Sequence, residues 1–137
     1  MKIIKSNFCP EGGFATVVLQ HNGKKYIGQA LYNEKEEKYP ANAFFGQRIA
    51  ERRAVIQLLK EKRDINRIKK EALESLKKDL KNTYGIEENL FYNKLDQHIK
   101  YYNKEYKDCK NIIELYKSHI KRDIELRKQL LDRVTNK

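Results

Sequence analysis

The sequence contains few of the residues that build cross-links or metal sites. Two cysteines occur, Cys9 and Cys109, and they form no Cys-x-x-Cys pair, so neither a disulfide framework nor a zinc site is predicted. The three histidines, His21, His98 and His119, have no metal-ligand spacing. We therefore expect no metal and no other cofactor.

Long apolar runs and phosphate-binding glycine loops are also missing. The N-terminal residues MKIIK lack the apolar run of a signal peptide, and no segment approaches membrane-spanning length, which predicts a cytosolic protein. Gly12-Gly13 precedes a strand and not a helix N-terminus, so it is not a phosphate loop. No Ser-His-Asp or Cys-His arrangement can be argued, and the sequence predicts that the protein is not an enzyme.

Positive charge is in excess. Thirty Lys and Arg residues against 19 Asp and Glu residues give a net charge of +11 over 137 residues, which favours an anionic partner without choosing among nucleotides, nucleic acid, acidic proteins and lipid. Most of the excess lies after residue 42. Acidic residues interrupt it every few positions there, which favours a compact anionic ligand over a long DNA duplex.

An Asn-Gly pair between two β-rich runs gives the clearest local signal. Residues 13–32 read GFATVVLQ, HNGK and KYIGQALY around Asn22-Gly23, and this pair favours a type I′ turn because both central residues need positive φ. The resulting register places Val17 opposite Gly28. Residues 1–8 predict a further short strand.

The two faces of this hairpin differ in side-chain size. Gly28 lies among alanines on one face, which predicts close packing of a helix there. The other face is predicted to be core and carries the larger apolar residues Phe14, Val18, Ile27 and Leu31.

A first helix is predicted after Asn42, its expected N-cap, and runs without a break from Gln47 to Asn82. Gly85 is expected at C′, and Glu87-Glu88 are expected to begin the next helix. The first half has a broad apolar face that should pack on the sheet, namely Ile49, Ala50, Val55, Ile56, Leu58 and Leu59. The second half has one apolar stripe that should lie in a two-helix seam, namely Ile65, Ile68, Ala72, Leu76 and Leu80.

A second helix is predicted from Glu87 to about Val134. Its apolar residues alternate by three and four, which predicts coiled-coil packing; they are Tyr92, Leu95, Ile99, Tyr102, Tyr106, Cys109, Ile113, Tyr116 and Ile120. This helix should extend beyond its predecessor. The unpartnered end predicts a homodimer or higher oligomer, because it still carries Ile120, Ile124, Leu126, Leu130, Leu131 and Val134.

The predicted fold class is α+β. A small N-terminal antiparallel β-sheet, a hairpin or meander in residues 1–42, precedes two long antiparallel α-helices in residues 43–137 that form a coiled-coil-like hairpin. We expect one domain that spans residues 1–137 and is oligomeric.

Binding residues are suggested by arginines and off-seam aromatics. Arginines four residues apart share a helix face and can hold phosphate with two bonds each, although a solvated basic face is the alternative. An aromatic beside arginines can stack a base, although Phe91 and Tyr101 could instead pack on another subunit. The predicted ligand residues are Phe91, Tyr101, Asn103, Arg63, Arg67, Arg122 and Arg52.

The segment GKKYIGQALYNEKEEKYPANAFFGQRIAERRAVIQLLK, residues 23–60, with its G-x-x-I-A-E-x-R-A-x-I-x-x-L-K pattern at Gly46 to Lys60, resembles the phage Thoeris anti-defence sponge family. The resemblance implies an N-terminal antiparallel sheet, two long helices, and dimers or higher oligomers. It also implies sequestration, without cleavage, of cyclic ADP-ribose isomers made by TIR enzymes, glycocyclic ADP-ribose above all. Some members also capture cyclic oligonucleotides at a separate site.

The resemblance implies a non-enzymatic protein in the cytoplasm of an infected bacterium that binds a small anionic nucleotide. Two alternatives stay open, a basic phage protein that binds nucleic acid and a protein–protein inhibitor of a host defence enzyme.

Overall fold

A computed structural model describes residues 2–9, 14–31, 40–85 and 90–135. Strands β1 (Lys2–Cys9), β2 (Phe14–His21) and β3 (Lys24–Leu31) precede helices α1 (Pro40–Tyr84) and α2 (Leu90–Thr135). The fold class is α+β, with an antiparallel sheet followed by two long helices. Within the described residues, no helix has an apolar stretch long enough to cross a membrane.

The three strands form one antiparallel sheet in the order β1-β2-β3. Asn22 and Gly23 have φ values of 52° and 79°, and His21 pairs with Lys24 and Val17 with Gly28. These observations confirm the predicted turn and its register. The predicted first strand is also confirmed, with a shift of register between Ile3 and Lys5.

The chain groups into two compact units. The first unit contains Met1–Leu58 and Ile113–Lys137, and the second contains Leu59–Ile112. Both helices contribute to both units.

The core of the first unit lies on the small-residue face of the sheet. Ala15, Val17, Leu19 and Ala30 are at most 2% exposed. A Cβ atom added to Gly28 would overlap the carbonyl oxygen of Ala50 and lie 2.5 Å from the backbone nitrogen of Ala54. The predicted close approach of a helix at Gly28 is therefore confirmed.

The prediction that the larger apolar face of the hairpin is core was wrong. Ile27 and Leu31 are 56% and 74% exposed, while Phe14 and Val18 are only partly buried. The reason is the approach of α1 at Gly28. A helix backbone fits closely against small residues, so α1 covers the face with Gly28 and the alanines and leaves the face with the larger apolar residues exposed.

The start and partners of the helices also differ from the predictions. Asn42 is not an N-cap, because α1 already begins at Pro40, and proline suits the first turn since its missing N–H needs no partner there. Helices α1 and α2 are consequently of nearly equal length, 45 and 46 residues. The prediction that the last third of α2 lacks an intrachain partner was wrong at Ile120 and Asp123, which are buried in the first unit. Further along, Leu126 and Leu130 are 41% and 39% exposed.

The ends of the helices near the reversal agree in part with the sequence. Gly85 has a φ of 67° directly after Tyr84, which confirms it as the C′ residue. The predicted helix start at Glu87-Glu88 lies outside the described residues. The side chains of Leu131 and Val134 also lie outside the described part.

In the second unit, α1 and α2 pack antiparallel. Lys62, Lys70 and Lys77 of α1 contact Glu105, Asn103 and Asp96 of α2 in that order. The predicted seam of α2 is confirmed. All of its residues are buried or half-buried, both the part in the second unit and the part in the first unit.

The predicted apolar seam of α1 was wrong. Ile65, Ile68 and Leu76 are 43%, 59% and 40% exposed, and Ala72 is exposed as well. The residues that turn toward α2 are instead Asn66, Lys70, Leu73, Lys77 and the predicted Leu80. Lysines can occupy this seam because α2 offers tyrosine rings and carboxylates opposite them.

We predict that Gly28→Val destabilises the protein by about 3 kcal/mol, because the added side chain must displace the α1 backbone. The adjacent Gln29→Val, whose side chain is exposed, should change stability by no more than about 0.5 kcal/mol. Urea unfolding of both variants is the measurement. Equal unfolding midpoints would refute the packing described here.

Candidate functional site

Lysine side chains lie over tyrosine rings along the α1–α2 contact of the second unit. The Nζ atoms of Lys69 and Lys70 lie 5.4 Å and 5.8 Å from the ring centroids of Tyr102 and Tyr106. The Nζ atom of Lys77 lies 4.9 Å from the centroid of Tyr92. Each distance is within the range of a cation–π interaction, which is worth about 0.5–1 kcal/mol at an exposed site.

The Lys77 ammonium also binds a carboxylate. Its Nζ atom lies 2.5 Å from Oδ1 of Asp96. The hydrogen bond that Lys77 donates to Asp96 raises the pKa of Lys77. The same bond lowers the pKa of Asp96, and the charge of Lys100 adds to the lowering. Both groups are therefore held in their charged forms at neutral pH.

A groove of about 280 Å³ opens beside this pair, lined by Glu74, Lys77, Lys78, Lys81, Tyr92 and Ile99. We call it the lysine groove. Three lysines line it against one carboxylate of its own lining, Glu74, and one of them, Lys77, is paired with Asp96. Its positive charge and its aromatic wall suit an anion that carries a flat ring.

The second unit has two chemically different sides. In an antiparallel helix pair, the residue directly before each inward-facing seam residue lies on one side of the pair, on both helices. The residue directly after each seam residue lies on the other side. The large apolar residues exposed before the seam define the apolar side, namely Ile65, Leu76, Phe91, Tyr101 and Ile112, with Ile68 next to them. Charged residues lie among them, including Lys69, Asp79, Lys94 and Asp108. The exposed residues after the seam define the lysine side. The basic ones are Arg67, Lys78, Lys81, Lys100, Lys107 and Lys110, and the acidic Glu71 and Glu74 lie among them.

The predicted ligand residues fall into separate places. Phe91 and Tyr101 are 54% and 57% exposed on the apolar side, and the Tyr101 ring meets the edge of Tyr102. Arg67 and Asn103 lie on the lysine side, where Asn103 Oδ1 accepts a hydrogen bond from Lys70 at 3.3 Å. The structure thus places the predicted arginine and the predicted aromatics on opposite sides of the pair.

Arg63 lies in the seam, half-buried, and its Nε atom donates to Oδ1 of the adjacent Asp64 at 3.1 Å. Nearby, burial raises the pKa of the Cys109 thiol. Among the described residues, no group of three or more His, Cys, Asp or Glu side chains is placed to hold a metal ion.

The remaining two predicted residues belong to the first unit. Arg122 is exposed. Arg52 is largely buried, and its guanidinium donates to Oδ2 of Asp123 and, at 3.3 Å, to the carbonyl oxygen of His119. Arg48 contacts the same Oδ2 atom at 3.4 Å. Arg52, which was predicted to bind a ligand, therefore holds a carboxylate of its own chain together with Arg48.

This arginine–aspartate cluster is buried. Asp123 is 1% exposed, and its Oδ1 atom has no hydrogen-bond partner among the described residues. A buried carboxylate must be compensated by positive charge, so the two arginines explain how α2 can carry an aspartate at a core position.

Three comparisons test whether this arrangement is shared with known proteins. No family model, curated protein or solved structure matches the chain. The resemblance described above remains a hypothesis, and the function must be argued from the side chains themselves.

Sequence reasoning missed the lysine groove because it looked for arginines. The signal that could have found it is the recurrence of tyrosine in the seam of α2, at Tyr92, Tyr102, Tyr106 and Tyr116. A phenol ring at an inward position needs a partner that covers its face and leaves its hydroxyl near water. Lysines at matching positions of α1 supply such a partner.

We predict that Asp123→Asn lowers the free energy of unfolding by about 3 kcal/mol, because it leaves the buried Arg52 guanidinium without its counter-charge. The exposed Asp79→Asn should have an effect below about 0.5 kcal/mol. Thermal and urea unfolding measure both. Replacing both partners, Arg52→Leu with Asp123→Leu, should recover part of the lost stability. A double variant with a lower free energy of unfolding than Asp123→Asn would contradict this account.

Proposed function

We propose that the protein binds a compact nucleotide-class anion and retains it without chemical change. The observation that carries this proposal is the lysine groove, where Lys77, Lys78 and Lys81 surround a concave surface with Tyr92 in its wall. Phosphate groups would bind the ammonium groups, and the ring of a base or ribose would lie against the tyrosine.

The ligand residues of this proposal differ in part from those predicted from the sequence. Arg67 and Asn103 lie on the same side as the groove and can contribute to a ligand that extends along α1 and α2. Phe91 and Tyr101 lie on the other side, so stacking by either of them would need a pocket completed by another protomer. Arg52 is already bound to Asp123.

The size of the groove limits the affinity of a single chain. At about 280 Å³ it is slightly smaller than typical ligand pockets of about 300–1,000 Å³. It can hold a pyrophosphate and part of a nucleoside, with the remainder open to solvent. A sponge that competes with a receptor needs a Kd near nanomolar, roughly −12 kcal/mol, and we propose that a further protein wall supplies the missing enclosure.

The resemblance to the anti-defence sponge family names the class of ligand to test first. Glycocyclic ADP-ribose combines a pyrophosphate with an adenine ring, the two groups that the groove can recognise. Cyclic oligonucleotides carry phosphodiester groups and base rings and form the second class. Non-enzymatic capture in the cytoplasm of an infected bacterium is part of this proposal.

We predict that Lys78→Gln with Lys81→Gln weakens binding of glycocyclic ADP-ribose at least tenfold, since two charge-assisted contacts are lost. The control pair, Lys121→Gln with Lys128→Gln, makes the same change of charge at exposed positions of the first unit and should bind like the unmodified protein. Isothermal titration calorimetry gives both affinities. Mass spectrometry of the ligand released by heat should find it intact.

Two results would remove this proposal. One is the absence of binding to any cyclic nucleotide at micromolar concentration. The other is equal weakening by the groove pair and the control pair, which would mean that only net charge matters.

Nucleic-acid binding is a second candidate, favoured by the extent of the lysine side. Beyond the groove, exposed basic residues on this side are Arg67 on α1 and Lys100, Lys107 and Lys110 on α2. Backbone phosphates would contact several of them at once. Fluorescence anisotropy with labelled single and double strands should then show affinity falling steeply between about 50 and 200 mM salt. A flat salt dependence would exclude this candidate.

A further inference from the structure

The lysine groove has two chemically different ends. Its residues on α1 are spaced so that they share one side of the helix, namely Glu74, Lys77, Lys78 and Lys81. From Glu74 to Lys81 the groove extends about 10 Å along the helix, at 1.5 Å per residue. The carboxylate therefore lies at one end, and the exposed side chains of Lys78 and Lys81 lie in the middle and at the other end.

The residues of α2 in the groove follow the same division. The contact between Lys77 and Asp96 fixes the level of one antiparallel helix against the other. Glu74 comes three residues before Lys77 on α1. Ile99 comes three residues after Asp96 on α2, so it lies level with Glu74. Tyr92 lies in the opposite direction, toward the lysine end. An anionic part of a ligand therefore belongs beside Tyr92, and an uncharged part belongs beside Ile99 and Glu74.

The Glu74 side chain has acceptor atoms to offer a ligand. It is exposed, and among the described residues no hydrogen bond or ion pair engages it. Asp96, in contrast, already accepts the Lys77 ammonium. An ionised carboxylate has two acceptor oxygens and no donor, so Glu74 attracts hydroxyl groups and repels phosphate. A ligand that fills the whole groove must therefore combine phosphate with hydroxyl groups.

We infer that Glu74 determines the specificity of the groove by binding the hydroxyl groups of a sugar, while Lys78 and Lys81 bind its phosphate. The ligand class is then a sugar phosphate with adjacent free hydroxyl groups, such as a ribonucleotide. A deoxyribonucleotide loses one of the hydroxyl contacts, and a bare polyphosphate leaves a carboxylate facing an anion. This inference rests on the proposed function, because it concerns the same groove.

A purely local role is the alternative for Glu74. A glutamate followed four residues later by a lysine supports a helix, and Glu74 with Lys78 has this spacing. That role is the same whichever ligand is present, whereas hydroxyl binding separates ligands that differ in one hydroxyl group. Glu71 is the matched control, because it is an exposed glutamate on the lysine side that does not line the groove.

The test compares three probes that separate charge from hydroxyl groups. ADP carries a diphosphate and two adjacent ribose hydroxyls, 2′-deoxy-ADP lacks one of these hydroxyls, and inorganic pyrophosphate has no sugar. Isothermal titration calorimetry at neutral pH and constant ionic strength gives the three affinities. The unmodified protein should bind ADP about fivefold more tightly than 2′-deoxy-ADP, because one hydrogen bond to a charged acceptor is lost in an open groove.

Three variants at exposed positions divide the effect of Glu74 into its parts. Glu74→Ala should bind ADP and 2′-deoxy-ADP equally, and it should bind pyrophosphate about threefold more tightly because a repelling charge is gone. Glu74→Gln loses the same charge but keeps one acceptor oxygen, so it should bind pyrophosphate like the alanine variant and retain part of the preference for ADP. Glu71→Ala makes the same change of charge outside the groove and should keep the full preference.

Three outcomes would overturn the inference while nucleotide binding itself persists. The unmodified protein could bind ADP and 2′-deoxy-ADP equally. Glu74→Ala could keep the preference for ADP, or Glu71→Ala could lose it to the same extent. In each case the groove variants of Lys78 and Lys81 still test the proposed function by themselves. If ADP, pyrophosphate and cyclic nucleotides all fail to bind at millimolar concentration, the proposed function and this inference are both wrong.

Discussion

The approach of the α1 backbone to Gly28 determines which surfaces of the first unit are buried. A side chain at this position would overlap the carbonyl of Ala50, and only a residue without a Cβ allows the contact. Because small residues face the helix, the sheet buries Ala15, Val17 and Ala30 and exposes its larger apolar residues. The same contact fixes the rotation of α1 about its own axis, which turns Arg52 toward Asp123.

The sequence predicted those features that depend on local geometry or strict periodicity. Asn22-Gly23 determined the hairpin register because few turns other than type I′ match the twist of two strands. Gly85 marked the helix end through its left-handed conformation, and the heptads of α2 identified the residues of its buried stripe. Each of these signals is contained in a few neighbouring residues.

The face of α1 could not be predicted in the same way. Its apolar residues, Ile65, Ile68 and Leu76, form a regular stripe, yet they are exposed in the single chain. Its seam includes Lys70 and Lys77, whose ammonium groups lie over tyrosine rings, beside Asn66, Leu73 and Leu80. Hydropathy scales count lysine as a surface residue. A periodicity analysis therefore places the exposed isoleucines and Leu76 in the seam, and it places Lys70 and Lys77 on the surface. The arginine assignment failed at Arg52 for a related reason, since its partner Asp123 is 71 residues away.

The buried thiol of Cys109 gives the seam an internal reporter. Cys109 is 3% exposed, and burial raises its pKa, so little of the reactive thiolate is present while the helices are packed. Alkylating reagents and cellular oxidants therefore reach this sulfur mainly when α1 and α2 separate locally. In a chain with Cys9 replaced, the labelling rate of this one atom would record how often the pair opens, independently of any ligand or neighbouring molecule.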